Sequence, residues 1–370
     1  MSEGQKEINI DNLGKFTQKE IFEIPTALNK ATQQKDLISR IAKELIIKKV
    51  KHIYLIGSGS SYHAGFAMSY MFNRLTKIPT FTEFSMEFQY LIEPILKEDD
   101  CVIAISQSGE TKDTIDSIGI AKKRGCFTVG IMNNSKSTLA KKCSFIIELK
   151  CGKEKSVLAT KTYVSELAVL AMLSLEIAKE NKSVSNEEYN KIWVEIIRIP
   201  DRIYSALPQI QEKVKEYAIH FKTIKYCFIL GSGPEYATAM EAALKLKEGA
   251  RIFGQAYSTA EFPHGPITLA DSETCILAIL PYEDDRRKTK LISILNRIKE
   301  RKATILGVYE LIEKDKIPMQ IDYGIEVPNT LKDLQPLIMI LAVQLLTLET
   351  SRINQIDCDT PKFLSKVSGI

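Results

Sequence analysis

Along this chain, short unbroken apolar runs alternate with longer stretches of helical period. "HIYLIG" is followed by a helical pattern from about Ala64 to Leu75, then by "TFTEF" and "CVIAIS". A second helical pattern runs from about Thr111 to Arg124 and leads into "CFTVGIM". Strands apolar on both faces, joined by helix-length connections, predict a parallel sheet covered on each side. The pattern then repeats, with "YCFILG", a helix around Glu241 to Phe253, "TCILAIL", a helix at Arg287 to Arg301 and "ATILGV".

The repeat extends to the letters. "YLIGSGSSYHAG" at Tyr54 returns as "FILGSGPEYATA" at Phe228, and "CVIAIS" at Cys101 returns as "CILAIL" at Cys275, both displaced by 174 residues. "TVGI" at Thr128 and "ILGV" at Ile305 form a third pair. The chain is therefore expected to be α/β, two tandem three-layer αβα sandwiches, each with a parallel sheet, related by internal duplication. The expected division is an N-terminal segment 1–37, a first unit 38–182, a helical linker 183–208, a second unit 209–345 and a tail 346–370. "WVEIIRIPDRIYSAL" in the linker reads as helix despite Pro200, and "LQPLIMILAVQLLTLET" is an apolar helix leading into a tail without strong periodicity.

Composition narrows the possibilities. A length of 370 residues suits two cores, and 45% apolar with 26% charged residues suits a globular chain. No run reads as the roughly 20 apolar residues of a membrane span, and "MSEGQKEINI" lacks the core of a secretion signal, so a cytoplasmic location and no membrane partner are expected. The net charge of +4, with basic and acidic residues interleaved, gives no footprint for nucleic acid. The seven cysteines lie mostly in strand-like runs and show no metal-binding spacing, so neither disulfides, a metal nor a cofactor is expected.

Candidate chemistry lies where strands end. "GSGSS" follows the first strand and "SQSGET" follows "VIAI", each opening a helix. Loops at the carboxyl ends of parallel strands present backbone N–H groups, and serine hydroxyls without a lysine or arginine suit a phosphate monoester. Helix capping is the simpler reading of any one of Ser106, Gln107, Ser108 and Thr111; four polar groups beside a second serine-rich loop favour a phosphate site. Gly57, Gly59 and Glu83 hint at a dinucleotide site, but Tyr62 stands where the third glycine belongs, which argues against it.

The second copy has "LPYEDD" in place of "SQSGET" and so contributes something else. Lys245 and Glu248 share a helix face, as a surface ion pair or as chemistry. His264 sits between Pro263 and Gly265-Pro266; rigid placement of an imidazole favours acid/base work, with a structural role as the alternative. His52, His63 and His220 have no comparable setting.

Taken together, "GSGSSY", "SQSGET", "VLATK", "ALKLKE", "EFPHGP" and "DTPKFLSKV" resemble the double sugar isomerase (SIS) domain family, specifically its aminosugar-phosphate branch. The resemblance implies that Ser61, Ser106, Gln107, Ser108 and Thr111 hold a sugar phosphate with Ser60 nearby, and that Val157, Thr160 and Lys161 line the sugar. It implies Glu248 as the base moving a proton between C1 and C2, supported by Lys245. His264 would assist ring opening from the neighbouring subunit of a homodimer, and Lys366 would act in ring opening or as a Schiff-base amine. The expected function is isomerisation and deamination of glucosamine 6-phosphate to fructose 6-phosphate and ammonia, or the reverse. Alternatives are an isomerase subunit fed ammonia by a separate glutaminase, a fructosamine-6-phosphate deglycase, and a phosphosugar sensor without catalysis. Ala159 and Lys362 depart from the branch's pattern, where serine and arginine are common. No cysteine precedes Cys101, so glutamine hydrolysis by an N-terminal cysteine is not expected.

Overall fold

The computed structural model describes residues 12–281, 285–311 and 318–366. Its strands form two five-stranded sheets, parallel throughout. The first holds β1 (His52–Gly57), β2 (Thr80–Phe84), β3 (Asp100–Ile105), β4 (Phe127–Met132) and β5 (Phe145–Glu148) in the order β2-β1-β3-β4-β5. The second holds β6 (Tyr226–Gly231), β7 (Phe253–Ser258), β8 (Cys275–Ile279), β9 (Thr304–Glu310) and β10 (Tyr323–Val327), in the equivalent order β7-β6-β8-β9-β10. The duplication holds to the register: Tyr54 lies opposite Val102, and Phe228 opposite Ile276.

Side chains alternate across each sheet. In β1, Tyr54 and Ile56 face a core completed by α5 (Ser85–Leu91), α6 (Lys112–Lys123) and α7 (Thr138–Lys142). Ile53 and Leu55 face the other way, onto α3 (Lys35–Ile47), α4 (Ser60–Thr76) and α8 (Lys161–Glu180). In the second sheet Phe228 and Leu230 meet α11 (Asp285–Lys299), while Cys227 and Ile229 face α10 (Pro234–Lys245) and α12 (Gln335–Ile353). The two inner cores are one continuous cluster. The lobes therefore sit back to back on shared apolar packing.

The linker is longer than 183–208. It forms most of α9 (Asn186–Ala218), which runs through Pro200 and Pro208 and buries Ile192, Ile196, Ile199, Ile203, Leu207, Ile210 and Val214 at helical spacing. That stripe, packed on α12 and α2 (Ile24–Thr32), holds the helix through residues that would break an exposed one. The helix expected at Glu241 to Phe253 starts earlier, at Pro234, and ends in a π-helical turn, Leu246–Ala250. The tail boundary also moves, because α12 continues to Ile353. The membrane-span expectation needs a correction too: Lys332–Ile353 is long and apolar enough to cross a bilayer, but its most apolar window is 100% buried inside the protein.

Beyond α12 the chain returns to the N-terminal helix α1 (Lys15–Phe22). Asp359 accepts bonds from the N–H groups of Phe16 and Thr17 and from the Thr17 hydroxyl, while its own carbonyl accepts the Val157 N–H. Arg352 donates to the Leu13 carbonyl and to Gln18. The first and last segments are thus closed on one another beside residue 157.

Candidate functional site

In a sheet of order 2-1-3-4-5 the crevice opens between the carboxyl ends of strands 1 and 3, where the connections depart to opposite faces. Both serine-rich loops lie there. The first requires glycine twice. Gly59 adopts φ 55° and ψ −127°, a region closed to other residues, and a Cβ on Gly57 would fall 2.8 Å from backbone atoms of Ser61 and Tyr62. The loop delivers Ser60 and Ser61 into the first turn of α4. Ser60 donates to Glu241 at 2.8 Å and Ser61 to Glu166 at 2.8 Å.

In the second loop the Ser106 and Thr111 hydroxyls lie 3.1 Å apart, and Ser106 accepts the Gly109 N–H. Ser108 accepts the Glu110 N–H, and the Gln107 carbonyl accepts the Asn133 N–H. Thr111 occupies the N-cap of α6, yet its side chain makes no capping bond. Helix capping therefore does not account for the Thr111 hydroxyl, while Ser106 and Ser108 each accept a backbone N–H within the loop.

The second lobe keeps the loop and changes its chemistry. Gly233 adopts φ 64° and ψ −136°, matching Gly59, but Glu235 occupies the position of Ser61. Burial pushes the Glu235 carboxyl up to about 7. Arg287 lies over the loop and donates to the Ser232 carbonyl at 3.1 Å. Of the "LPYEDD" segment, Tyr282 to Asp284 lie outside the described residues.

What the second lobe supplies is the end of α10. Lys245 is only 1% exposed, which sets aside the reading as a surface ion pair: its ammonium lies 2.6 Å from Glu248 and 3.3 Å from Glu241. Burial would lower the lysine's proton affinity, but the two carboxylates outweigh it and raise it above the ordinary range. Burial likewise opposes charge on Glu241, and Lys245, His63 and Ser60 together hold it below the usual carboxylate range. The π-helical turn carries Glu248, whose side chain stays 17% exposed at the edge of this buried network. A turn of that kind is frequent where a helix re-aims a functional residue.

His63 requires a correction. Without a distinctive setting in the sequence, it is buried with Nδ1 2.7 Å from Glu241, between the lobes. His264, by contrast, closes a short 3₁₀ turn, Phe262–His264, and is exposed.

Lys366 in the tail is docked, donating to Glu154 at 2.6 Å and lying 3.5 Å from the Val157 carbonyl. Glu154 also accepts from the N–H and hydroxyl of Thr160 and from Thr162. Burial opposes its charge, but Lys366 and these donors hold it below the usual range. Thr160 thus turns its hydroxyl to Glu154, and Lys161 extends to the Lys153 carbonyl and to Glu23 between α1 and α2, so both side chains are engaged in fastening the loop. Glu20 of α1 fastens the same loop by accepting the N–H groups of Lys155 and Ser156. Gly249 touches this loop as well; a Cβ there would lie 3.0 Å from Leu158. Among the described residues no group of His, Cys, Asp and Glu could hold a metal ion.

The structure thus joins Ser60, Glu241, Lys245 and Glu248 in one run of contacts, and Lys366, Glu154, Val157 and Thr160 in another. Glu20, His63, Glu154, Glu166 and Glu241 are not identifiable from sequence. A carboxylate within a helical pattern gives no sign of partners elsewhere in the chain.

Comparison with known proteins identifies the fold and the family. The family model for the SIS domain matches residues 46–175 and 220–351. Glutamine–fructose-6-phosphate aminotransferase (isomerizing) of Thermotoga maritima is 35% identical over 365 residues, covering 95% of this chain and 58% of that protein. The chain thus spans little more than half the length of that relative. The C-terminal domain of glucosamine-fructose-6-phosphate aminotransferase from Francisella tularensis superposes with a TM-score of 0.87 at 28% identity, covering 95% of this chain and 99% of that one. Glucosamine-6-phosphate deaminase from Thermotoga maritima shares the fold, with a TM-score of 0.72 at 22% identity over 95% of this chain and 99% of that one.

Proposed function

The chain belongs to the SIS domain family, and from that premise we propose that it is a phosphosugar isomerase acting on a hexosamine 6-phosphate. Ser61, Ser106, Gln107, Ser108 and Thr111, with Ser60 beside them, take the phosphate through hydroxyls and the amides of the α4 and α6 first turns. Val157, Thr160 and Lys161 shape the loop against which the sugar lies. Glu248 removes a proton from C2 of the open-chain aldosamine and returns it to C1; water then attacks C2 of the ketimine, releasing ammonia and fructose 6-phosphate. Lys245, whose ammonium lies 2.6 Å from Glu248, orients that carboxylate for the task. Lys366 assists ring opening or condenses with the ketose, and the exposed His264 serves the ring oxygen of a neighbouring subunit in a homodimer. The phosphate grip orients the reacting carbons, and a positioned carboxylate contributes about 10² to 10⁴ in rate.

One observation carries this reading: Ser60 on the phosphate loop and Glu248 on the catalytic turn are linked through Glu241 and Lys245, at 2.8, 3.3 and 2.6 Å. The second reading, an isomerase subunit that receives ammonia from a separate glutaminase, is supported by the 35% identity to an isomerizing aminotransferase. Incubation with glucosamine 6-phosphate, following ammonia and fructose 6-phosphate, decides between them. Release of both is expected for a deaminase. Turnover confined to synthesis from fructose 6-phosphate and ammonium supports the subunit, and consumption of a fructosamine 6-phosphate alone supports a deglycase. Tight binding with no turnover in any direction refutes catalysis and leaves a sensor.

A further inference from the structure

The Ser61 hydroxyl is given to Glu166, a carboxyl that takes no part in the proton transfer proposed above. Glu166 lies one turn into α8, is 1% exposed, and meets Ser61 where α8 packs on α4. The ionisable groups around it are Glu154 and Cys151 from the loop before α8, Tyr163 on its own helix, Glu241 on α10 and Lys366 in the tail. The other two carboxylates have cationic or imidazole partners: Glu154 has Lys366, and Glu241 has Lys245 and His63. Among the described residues, Glu166 has a hydroxyl as its hydrogen-bond partner.

One hydroxyl carries one proton, which cannot serve Glu166 and a phosphate oxygen together. A buried carboxylate stripped of its donor is costly, so phosphate and ionised Glu166 compete for Ser61. A neutral Glu166 has a proton of its own. It can donate to the Ser61 oxygen, leaving the serine proton for the phosphate.

We infer that Glu166 is a positioning residue that sets the direction of the Ser61 hydroxyl and, through it, the affinity for a phosphate monoester. The inference rests on the reading of Ser61 as a phosphate ligand. Burial pushes Glu166 up to about 8, against the lowering effect of the Ser61 bond, so the neutral, donating form prevails at pH 7 and is lost above pH 8. A monoester with a second pKa of about 6 is already largely dianionic at pH 7, so its own titration adds little over the range that matters.

The test is calorimetric titration of the protein with fructose 6-phosphate between pH 7 and pH 9. In the wild type Kd should rise roughly tenfold as Glu166 ionises. Glu166→Gln carries an amide that donates at every pH; it should bind within about threefold of wild type at pH 7 and show no such rise. Ser61→Ala should bind about tenfold more weakly at pH 7, also with a flat profile, and carries the test if Glu166→Gln does not fold. A merely structural Glu166 would lower the melting temperature of Glu166→Gln while leaving the wild-type slope. Equal slopes in all three proteins overturn the inference alone; no binding by wild type at pH 7 overturns the functional reading and the inference with it.

Discussion

At the scale of single residues, the site is a set of buried charges, each stable because another lies beside it. Lys366 and Glu154 are the clearest case, since the carboxyl is completely buried and the ammonium 2.6 Å away holds it ionised. Lys366→Ala leaves that charge unpaired, which should cost about 1–3 kcal/mol of stability. Freed from Lys366, burial would raise the Glu154 pKa, so the folded state would bind the extra proton and the deficit should be greater at pH 8 than at pH 5. Adding Glu154→Gln should recover most of it. Urea denaturation of the two single variants and the double variant at both pH values measures this, and additivity of the two losses would show that the pair is not coupled. The serines and His264 stand out in the sequence because their residue types cluster or sit in rigid turns, while Glu248 enters only through the resemblance of "ALKLKE" to a known family. Glu166 is not, because its partner Ser61 lies 105 residues away. His63 escapes notice for the same reason, since its partner Glu241 is 178 residues distant.

At the scale of elements, glycine shows where the backbone is committed. Gly59 holds a conformation that other residues rarely adopt, whereas Gly119 lies within α6, and a Cβ added there would have Lys142 Nζ, 3.7 Å away, as its nearest neighbour. Gly59→Ala should destabilise the protein by about 1–3 kcal/mol and weaken sugar-phosphate binding, while Gly119→Ala should stabilise it by about 0.5–1 kcal/mol with binding unchanged. Thermal melts and calorimetric titration with fructose 6-phosphate check both; a neutral Gly59→Ala would contradict the assigned loop geometry. The central strands are readable because burial on both faces demands unbroken apolar runs. The strands missed, β5 "FIIE", β7 "FGQAYS" and β10 "YGIEV", are all at sheet edges, where partial exposure admits polar residues and erases that signal. The π-helical turn of "LKEGA" has no distinguishing pattern, and it is the element that carries Glu248.

For the whole molecule, the common core predicts that the two lobes unfold together. The buried carboxyls add a pH dependence. Burial raises Glu20 to about 7, Glu166 to about 8, Glu235 to about 7 and Glu310 to about 8, so from pH 4.5 to 8 the folded state holds protons that the unfolded state has released, and stability falls as pH rises. Glu154 and Glu241 act in the opposite direction: their folded pKa values are lowered, so the stability they add is present above 4.5 and lost as pH falls below it. The melting temperature should therefore peak near pH 5 and be at least about 3 °C lower at pH 8, with one calorimetric transition throughout. Two separated transitions, or a maximum at pH 8, would contradict this balance. The duplication is readable because both copies keep the same register; the shared core is not, because an apolar helix face does not reveal which lobe it meets.

The central claim is that Glu248 moves a substrate proton while the opposite lobe holds the phosphate. Nuclear magnetic resonance of fructose 6-phosphate in deuterated water, with wild type and Glu248→Gln, tests it most directly. Wild type should incorporate deuterium at C1; Glu248→Gln should do so about 10² to 10⁴ times more slowly while binding the sugar phosphate within about threefold of wild type. Exchange by the variant at the wild-type rate would contradict the account.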